Sequence, residues 1–191
     1  MRRRRWIMLG SAALVLAGRP RTVQAEDPAW DAARHGRAAV LMRHAVAPGG
    51  GDPPGFRLDD CSTQRGLSAA GRAQSRAIGE MLRARGIPSA HVLSSAWCRC
   101  LDTAERLGLG PVTVEPILNS FFADRSTAEA QTAALRGLLR DWSKPHPLVL
   151  VSHQVNITAL TGVFPASGEA LLVYTGARAG ALALRVPPPA A

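Results

Sequence analysis

An apolar run that stops on two basic side chains constrains this chain more than any other feature. Ala38-Ala39-Val40-Leu41-Met42 is uninterrupted, and Arg43 and His44 follow it directly. A run without polar alternation predicts a strand covered on both faces, as in a parallel sheet. In open α/β sheets, ligands sit beyond the carboxyl ends of the strands. Arg43 and His44 stand at such an end.

Two more stretches repeat the arrangement. His91-Val92-Leu93-Ser94 predicts a second strand. Ser95 is the expected cap of a helix opening Ala96-Trp97-Cys98-Arg99, which places Arg99 in the first turn. A cation there opposes the helix dipole, a local cost that suits a residue placed for an anion. Pro147-Leu148-Val149-Leu150-Val151-Ser152 is the most strand-like run, and His153 follows it. Arg43, His44, Arg99 and His153 thus converge on one sheet edge.

The intervening segments complete an alternating pattern. A Gly/Pro-rich loop at residues 47–55 leaves the first strand at its functional end. It either rims the pocket or is a plain connector. Ser68 caps an expected helix whose stripe is Ala73, Ala77, Ile78, Met81 and Leu82, ending at Gly86. Residues 112–115 form a short strand, and 117–125 are irregular. Ser126 or Thr127 caps a helix to Asp141 with Leu135, Leu138, Leu139 and Trp142 inward. Gln154 to Thr161 is helical, and residues 170–174 and 181–186 are closing strands. Residues 26–37 form a polar lead-in without an assigned element. The pattern predicts a three-layer α/β/α domain, core about 38–186, with a mostly parallel central sheet.

The formal charge of +9 resembles a nucleic-acid signal until it is located. Residues 1–25 hold six arginines and no acid, which leaves +3 for residues 26–191. That excess suits an anionic substrate and argues against nucleic acid as a partner. Arg2 to Arg5 are a basic n-region, residues 6–17 an apolar core, and Val23-Gln24-Ala25 a cleavage site. This is the layout of a secretory signal peptide. The apolar core falls short of the roughly 20 residues a membrane span needs, so no stable membrane insertion is expected after cleavage. The arginine run also contains a twin-arginine pair, which leaves the export route open. The expected location is periplasmic or otherwise extracytoplasmic.

Export alters the reading of Cys61, Cys98 and Cys100, because an oxidising compartment permits one disulfide. In a helix over 97–107, Cys100 shares a face with Trp97, Leu101, Ala104 and Leu107 and reads as a buried small hydrophobe. Cys98 points elsewhere and is the expected partner of Cys61. Cys-x-Cys lacks the gap of common zinc knuckles and no His lies nearby in sequence, so no metal site is expected.

Leu41-Met42-Arg43-His44-Ala45 resembles the RHG signature of the histidine phosphatase superfamily, the phosphoglycerate-mutase-like proteins. Leu67-Ser68-x-x-Gly71-Arg72-x-Gln74 resembles that family's next motif. Residues 93–104 resemble its S-S-x-x-x-R-x-x-x-T-A segment, and Val151-Ser152-His153 its final histidine motif. The resemblance spans about residues 38–160. The Cys61 segment, Cys98-Arg99-Cys100 and residues 152–158 are similar to a small exported branch that includes phosphatases of phosphorylated lipopolysaccharide-core heptose.

The resemblance implies an exported phosphomonoesterase acting on a small or lipopolysaccharide-linked phosphate ester. His44 would attack phosphorus and carry the phosphoryl group, its other nitrogen held by an acceptor such as a backbone carbonyl. Arg43, Arg99 and His153 would bind the phosphoryl oxygens, and no cofactor is implied. Two departures stand out. Ala45 replaces the motif glycine, which is tolerable only if φ is negative. The leaving-group acid is also not marked: Asp124 is the nearest candidate, Glu115 the second, and Gln154 stands where another branch has aspartate. Competing functions are a non-catalytic phosphate-ligand binder and a phosphomutase. A phosphohistidine phosphatase is a further alternative, disfavoured by export. Oligomeric state is not encoded legibly.

Overall fold

The computed structural model describes residues 28–189. Residues 1–25, expected from sequence to be a signal peptide, lie outside them. A six-stranded sheet runs through the centre in the order β3-β2-β4-β1-β5-β6. Its strands are β1 (Ala38–Arg43), β2 (His91–Ser94), β3 (Val112–Val114), β4 (Leu148–Ser152), β5 (Ala170–Tyr174) and β6 (Leu182–Val186). The pairs β1–β4, β4–β2 and β2–β3 are parallel. Both pairings of β5 are antiparallel, with Val40 opposite Leu172 on one side and Val149 on the other. The sheet is therefore mostly parallel, as its continuous apolar strands predict.

Helices cover both faces: α1 (Pro28–Arg34), α2 (Ala69–Ala84), α3 (Cys98–Leu107), α4 (Ala128–Asp141) and α5 (Gln154–Thr161). The two-residue period of β1 divides the core. Ala38, Val40 and Met42 face Trp30, Ile78, Leu82, Cys100 and Leu107 from α1, α2 and α3. Ala39 and Leu41 face Leu135, Leu139, Ile157 and Leu160 from α4 and α5. Both faces of β1 are dry, which fixes its register and the position of the residues just beyond it.

Four local expectations change. The lead-in segment contains helix α1, whose buried stripe is Ala29, Trp30, Ala32 and Ala33; alanines carry too little hydrophobic signal to announce it. The inner face of α2 is rotated from the expected stripe: Ala73 is exposed, and Gly71, Gln74, Ser75, Ile78, Gly79 and Leu82 are buried. Small residues dominate there because the helix packs close. A Cβ on Gly79 would lie 2.0 Å from the Leu107 carbonyl oxygen, and one on Gly71 2.1 Å from that of Val46. Ser95 does not cap α3; Trp97 holds that position, and the Ser95 hydroxyl turns to other partners. Thr127 stands at the N-cap of α4 without a capping bond, its hydroxyl taken by Asp124 and Gln131.

Candidate active site

The site forms where β1, β2 and β4 end together. Arg43 closes β1, paired in register with Ser152 of β4. His44 follows, its backbone N–H donating to the Ser152 carbonyl at 3.0 Å and its carbonyl accepting from Gly168 at 3.1 Å. The chain after it is pinned from three directions. Ala45 N–H donates to Thr103 Oγ1 (3.0 Å), whose hydroxyl donates to the Arg99 carbonyl (2.7 Å). Val46 N–H donates to Gln74 Oε1 (3.1 Å), and the Val46 carbonyl accepts from Ser68 N–H. The Ser68-x-x-Gly71-x-x-Gln74 motif thus has a mechanical meaning: Gly71 lets α2 approach, and Ser68 and Gln74 grip the backbone behind His44. Ala45 is fully buried beside Ala47 and Leu67. No non-glycine among the described residues has positive φ, so its Cβ is accommodated.

His44 is 2% exposed. Its Nδ1 lies 2.8 Å from the Ala45 carbonyl, which can only accept, so Nδ1 carries the proton and Nε2 the lone pair. Arg99 Nε–H points at Nε2 from 3.3 Å. Burial pushes the His44 imidazolium pKa down to about 3, with Arg99, Arg43 and Arg65 adding repulsion against the Ala45 hydrogen bond. His153 is 4% exposed, and its ring centroid lies 5.5 Å from that of His44. Its Nε2 is 2.8 Å from Ser95 Oγ and 3.4 Å from Cys100 Sγ. Its Nδ1 therefore faces inward, 3.5 Å from Arg99 Nη2. Burial, then His44 and the three arginines, hold its pKa well below the usual histidine range. Both imidazoles are neutral.

Arg43 reaches the same cleft. Its Nη1 donates to the Pro165 carbonyl at 3.1 Å, and its Nε is buried without a protein partner. Arg43, His44, Arg99 and His153, drawn from three points in the sequence, line one cavity of about 370 Å³. Phe56, Phe122, Trp97 and Val155 form its apolar wall, and the glycines of residues 49–51 its rim. The Gly/Pro-rich loop is thus a rim and not a remote connector.

Asp124 is not brought into this cavity. It is exposed and caps the turn Arg125–Thr127, its carboxylate accepting from the Ser126 N–H and hydroxyl, bonds that hold its pKa low. Glu115 likewise caps the turn Pro116–Leu118. The carboxylate that does line the cavity, Asp52, was not singled out from sequence, nor was Arg65. Asp52 accepts from Arg99 Nη1 (2.9 and 3.0 Å), Trp97 Nε1 (3.0 Å) and the Arg65 N–H (3.0 Å). Burial would raise its carboxyl, but these donors hold it below the usual carboxylate range. The guanidinium of Arg65 fastens the rim, donating to the Ala47 and Gly49 carbonyls. The sulfurs of Cys61 and Cys98 are bonded, and Cys100 is a free, fully buried thiol. Among the described residues no His/Cys/Asp/Glu group is arranged to hold a metal ion.

Chemically, the site offers a lone pair at the base of a pocket whose walls carry three guanidinium groups. Phosphoryl and its oxyanion analogues match such a set.

No family model and no curated protein matches the chain. Solved structures do. The protein histidine phosphatase SixA, determined with tungstate, is 19% identical, with a TM-score of 0.54 over 79% of this chain and 97% of its own. A protein assigned as SixA from Agrobacterium tumefaciens is 20% identical, with a TM-score of 0.57 over 80% and 99%. The open reading frame Rv3214 product from Mycobacterium tuberculosis is 16% identical, with a TM-score of 0.59 over 80% and 98%. The α/β/α architecture of this chain is the phosphoglycerate-mutase-like fold that these proteins share.

Proposed function

We propose that this protein is a phosphatase that works through a phosphohistidine on His44. One observation carries the reading: a buried, neutral imidazole whose Nε2 lone pair accepts from the Arg99 Nε–H at 3.3 Å stands beside a second buried imidazole. Nε2 attacks phosphorus, and the bond to the leaving oxygen breaks with its electron pair. Arg43 and Arg99 bind the oxygens of the transferring group. His153 donates from Nδ1 when the Ser95 hydroxyl turns to donate to Nε2. Water then attacks the same phosphorus and loses a proton to solvent, and the electrons of the P–N bond return to Nε2. The guanidinium groups supply the positive charge that phosphoryl transfer requires.

The substrate is a small or glycan-linked phosphate ester, with lipopolysaccharide-core heptose phosphate the specific proposal. The signal-like residues 1–25 and the Cys61–Cys98 disulfide support export to an oxidising compartment. A second function, phosphate-ligand binding without turnover, draws on one observation: the carboxylate in the cavity is already engaged. Phosphate release from an aryl phosphate, with chelator present, decides between them. Turnover lost in His44→Ala, with a base-stable phosphoprotein trapped in wild type, is the expected result. Turnover that survives His44→Ala overturns the assignment. Phosphate binding without any turnover establishes the binder.

A further inference from the structure

The segment from the rim loop to Gln64 is bonded to three consecutive residues, the N-cap Trp97 and the first two residues of α3. Trp97 Nε1 donates to Asp52 Oδ2, Cys98 N–H donates to Gln64 Oε1, and Arg99 Nη1 donates to both Asp52 oxygens. Cys98 is also joined covalently to Cys61. Nothing in this pattern resembles a lid resting on the pocket. It is a brace, and Asp52 is where it meets the guanidinium of Arg99.

The three nitrogens of Arg99 have three different neighbours. Nη1 is taken by Asp52, Nε faces His44 Nε2, and Nη2 faces His153 Nδ1 at 3.5 Å. A guanidinium is a rigid plane, so fixing one nitrogen on two carboxylate oxygens fixes the direction of the opposite edge. That edge, Nε with Nη2, is the fork a phosphoryl group on His44 would meet. The carboxylate cannot serve as the proton donor, because it is ionised and its oxygens already accept from three residues. It also stays off the nitrogens that face the imidazoles. The Asp52 side chain is 7% exposed and that of Arg99 5%, so solvent does not substitute for either partner.

We infer that Asp52 is a positioning residue, which aims the Nε–Nη2 edge of Arg99 at the phosphoryl group carried by His44. This rests on the phosphatase function proposed above. Arg99 then contributes most in the transition state, where charge on the transferring oxygens must be met in a set direction. Ground-state anion binding is shared with Arg43 and Arg65, and is less sensitive to the aim of one fork.

The test uses the full chain, its Asp52→Asn and Asp52→Glu variants, an aryl phosphate as substrate and inorganic phosphate as inhibitor. In Asp52→Asn, kcat is expected to fall about 10- to 100-fold, while the inhibition constant for phosphate moves by less than about threefold. Asp52→Glu restores part of kcat. An unchanged kcat in Asp52→Asn overturns the inference. So does a large gain in phosphate affinity, which would make Asp52 a competitor for the anion site. A readout independent of turnover is the Arg99 Nε–H resonance in arginine-labelled protein. It is expected to be sharp and slowly exchanging in wild type and lost in Asp52→Asn; a signal unchanged in the variant overturns the inference. If wild type shows no turnover, the phosphatase function fails, and this resonance alone decides whether Asp52 aims Arg99.

Discussion

His44 Nδ1 donates to the carbonyl oxygen of the very next residue, Ala45, at 2.8 Å. That bond fixes the tautomer, and burial, acting against the same bond, keeps His44 a neutral imidazole down to about pH 3. A stability prediction follows by linkage. In the unfolded chain histidine titrates near 6.5, whereas folded His44 resists protonation until about pH 3. The unfolded state therefore binds more protons between those values, and stability falls as pH drops through that window. It is fully present above about pH 6.5 and is lost at roughly 1.4 kcal/mol per pH unit for each such imidazole. His153 acts in the same direction. Urea midpoints between about pH 4 and 7 are expected to show a steep slope in wild type and a shallower one in His44→Asn. Equal slopes would mean that His44 is not held neutral by the fold.

Gly71 and Val46 make a second prediction. A methyl group on Gly71 would meet the Val46 carbonyl oxygen at 2.1 Å, and the obstacle is backbone that is itself bonded to Ser68 and Gln74. Gly71→Ala should cost about 2–3 kcal/mol and lower turnover, because the strain falls on the chain just after His44. Gly137, inside α4, is the control. A Cβ there meets only the Arg140 guanidinium at 3.7 Å. Gly137→Ala should stabilise by about 0.5–1 kcal/mol. Denaturant midpoints of the two variants are expected to move in opposite directions.

These two sites show how unevenly the sequence displayed the protein. Strands β1, β2 and β4 and the residues closing them were legible because burial on both faces leaves an unbroken apolar run. The side chains beyond those runs inherit their positions from the sheet. Asp52 had no such signal: it is a lone acid in a loop of glycine and proline, and its partner Arg99 is 47 residues distant. Arg65 is hidden for the same reason. Asp124 was the natural acid by its order after the third strand. The chain there enters a tight turn, however, and the Asp124 carboxylate is consumed in capping it. Helix α1 shows the limit of periodicity when the buried stripe is mostly alanine.

The cysteines give a third prediction. The Cys61–Cys98 link closes a sequence separation of 37 residues. Loop entropy of that size contributes about 3–4 kcal/mol, so Cys61→Ser or reduction should lower stability by an amount of that order. Cys100 should behave quite differently. Burial raises its thiol to about 12, and it has no exposed surface. Alkylation of the native, unreduced protein is expected to label no cysteine. Unfolding without reductant should then expose a single reactive thiol. Labelling of Cys100 in the native state would contradict its burial, and two or more additional thiols would contradict the disulfide.

The last prediction concerns the leaving group. Among the described residues, Asp52 is the one carboxylate lining the cavity, and its donors hold it ionised. Both imidazoles are neutral, and Asp124 stands outside, turned to Ser126. No group in the pocket is thus poised to protonate a departing oxygen. A positioned general acid supplies about 10²- to 10⁴-fold in rate; without one, that factor must come from the substrate. Hydrolysis should therefore slow steeply as the leaving group becomes more basic, with aryl phosphates far outpacing alkyl phosphates under the same conditions. Asp124→Asn should leave kcat/KM within about twofold for both classes, because a residue that does not touch the reacting atoms removes no transition-state stabilisation. If alkyl phosphates react as fast as aryl phosphates and Asp124→Asn slows only the alkyl series, then the turn Arg125–Thr127 must close over the substrate and bring its capping carboxylate to the leaving oxygen.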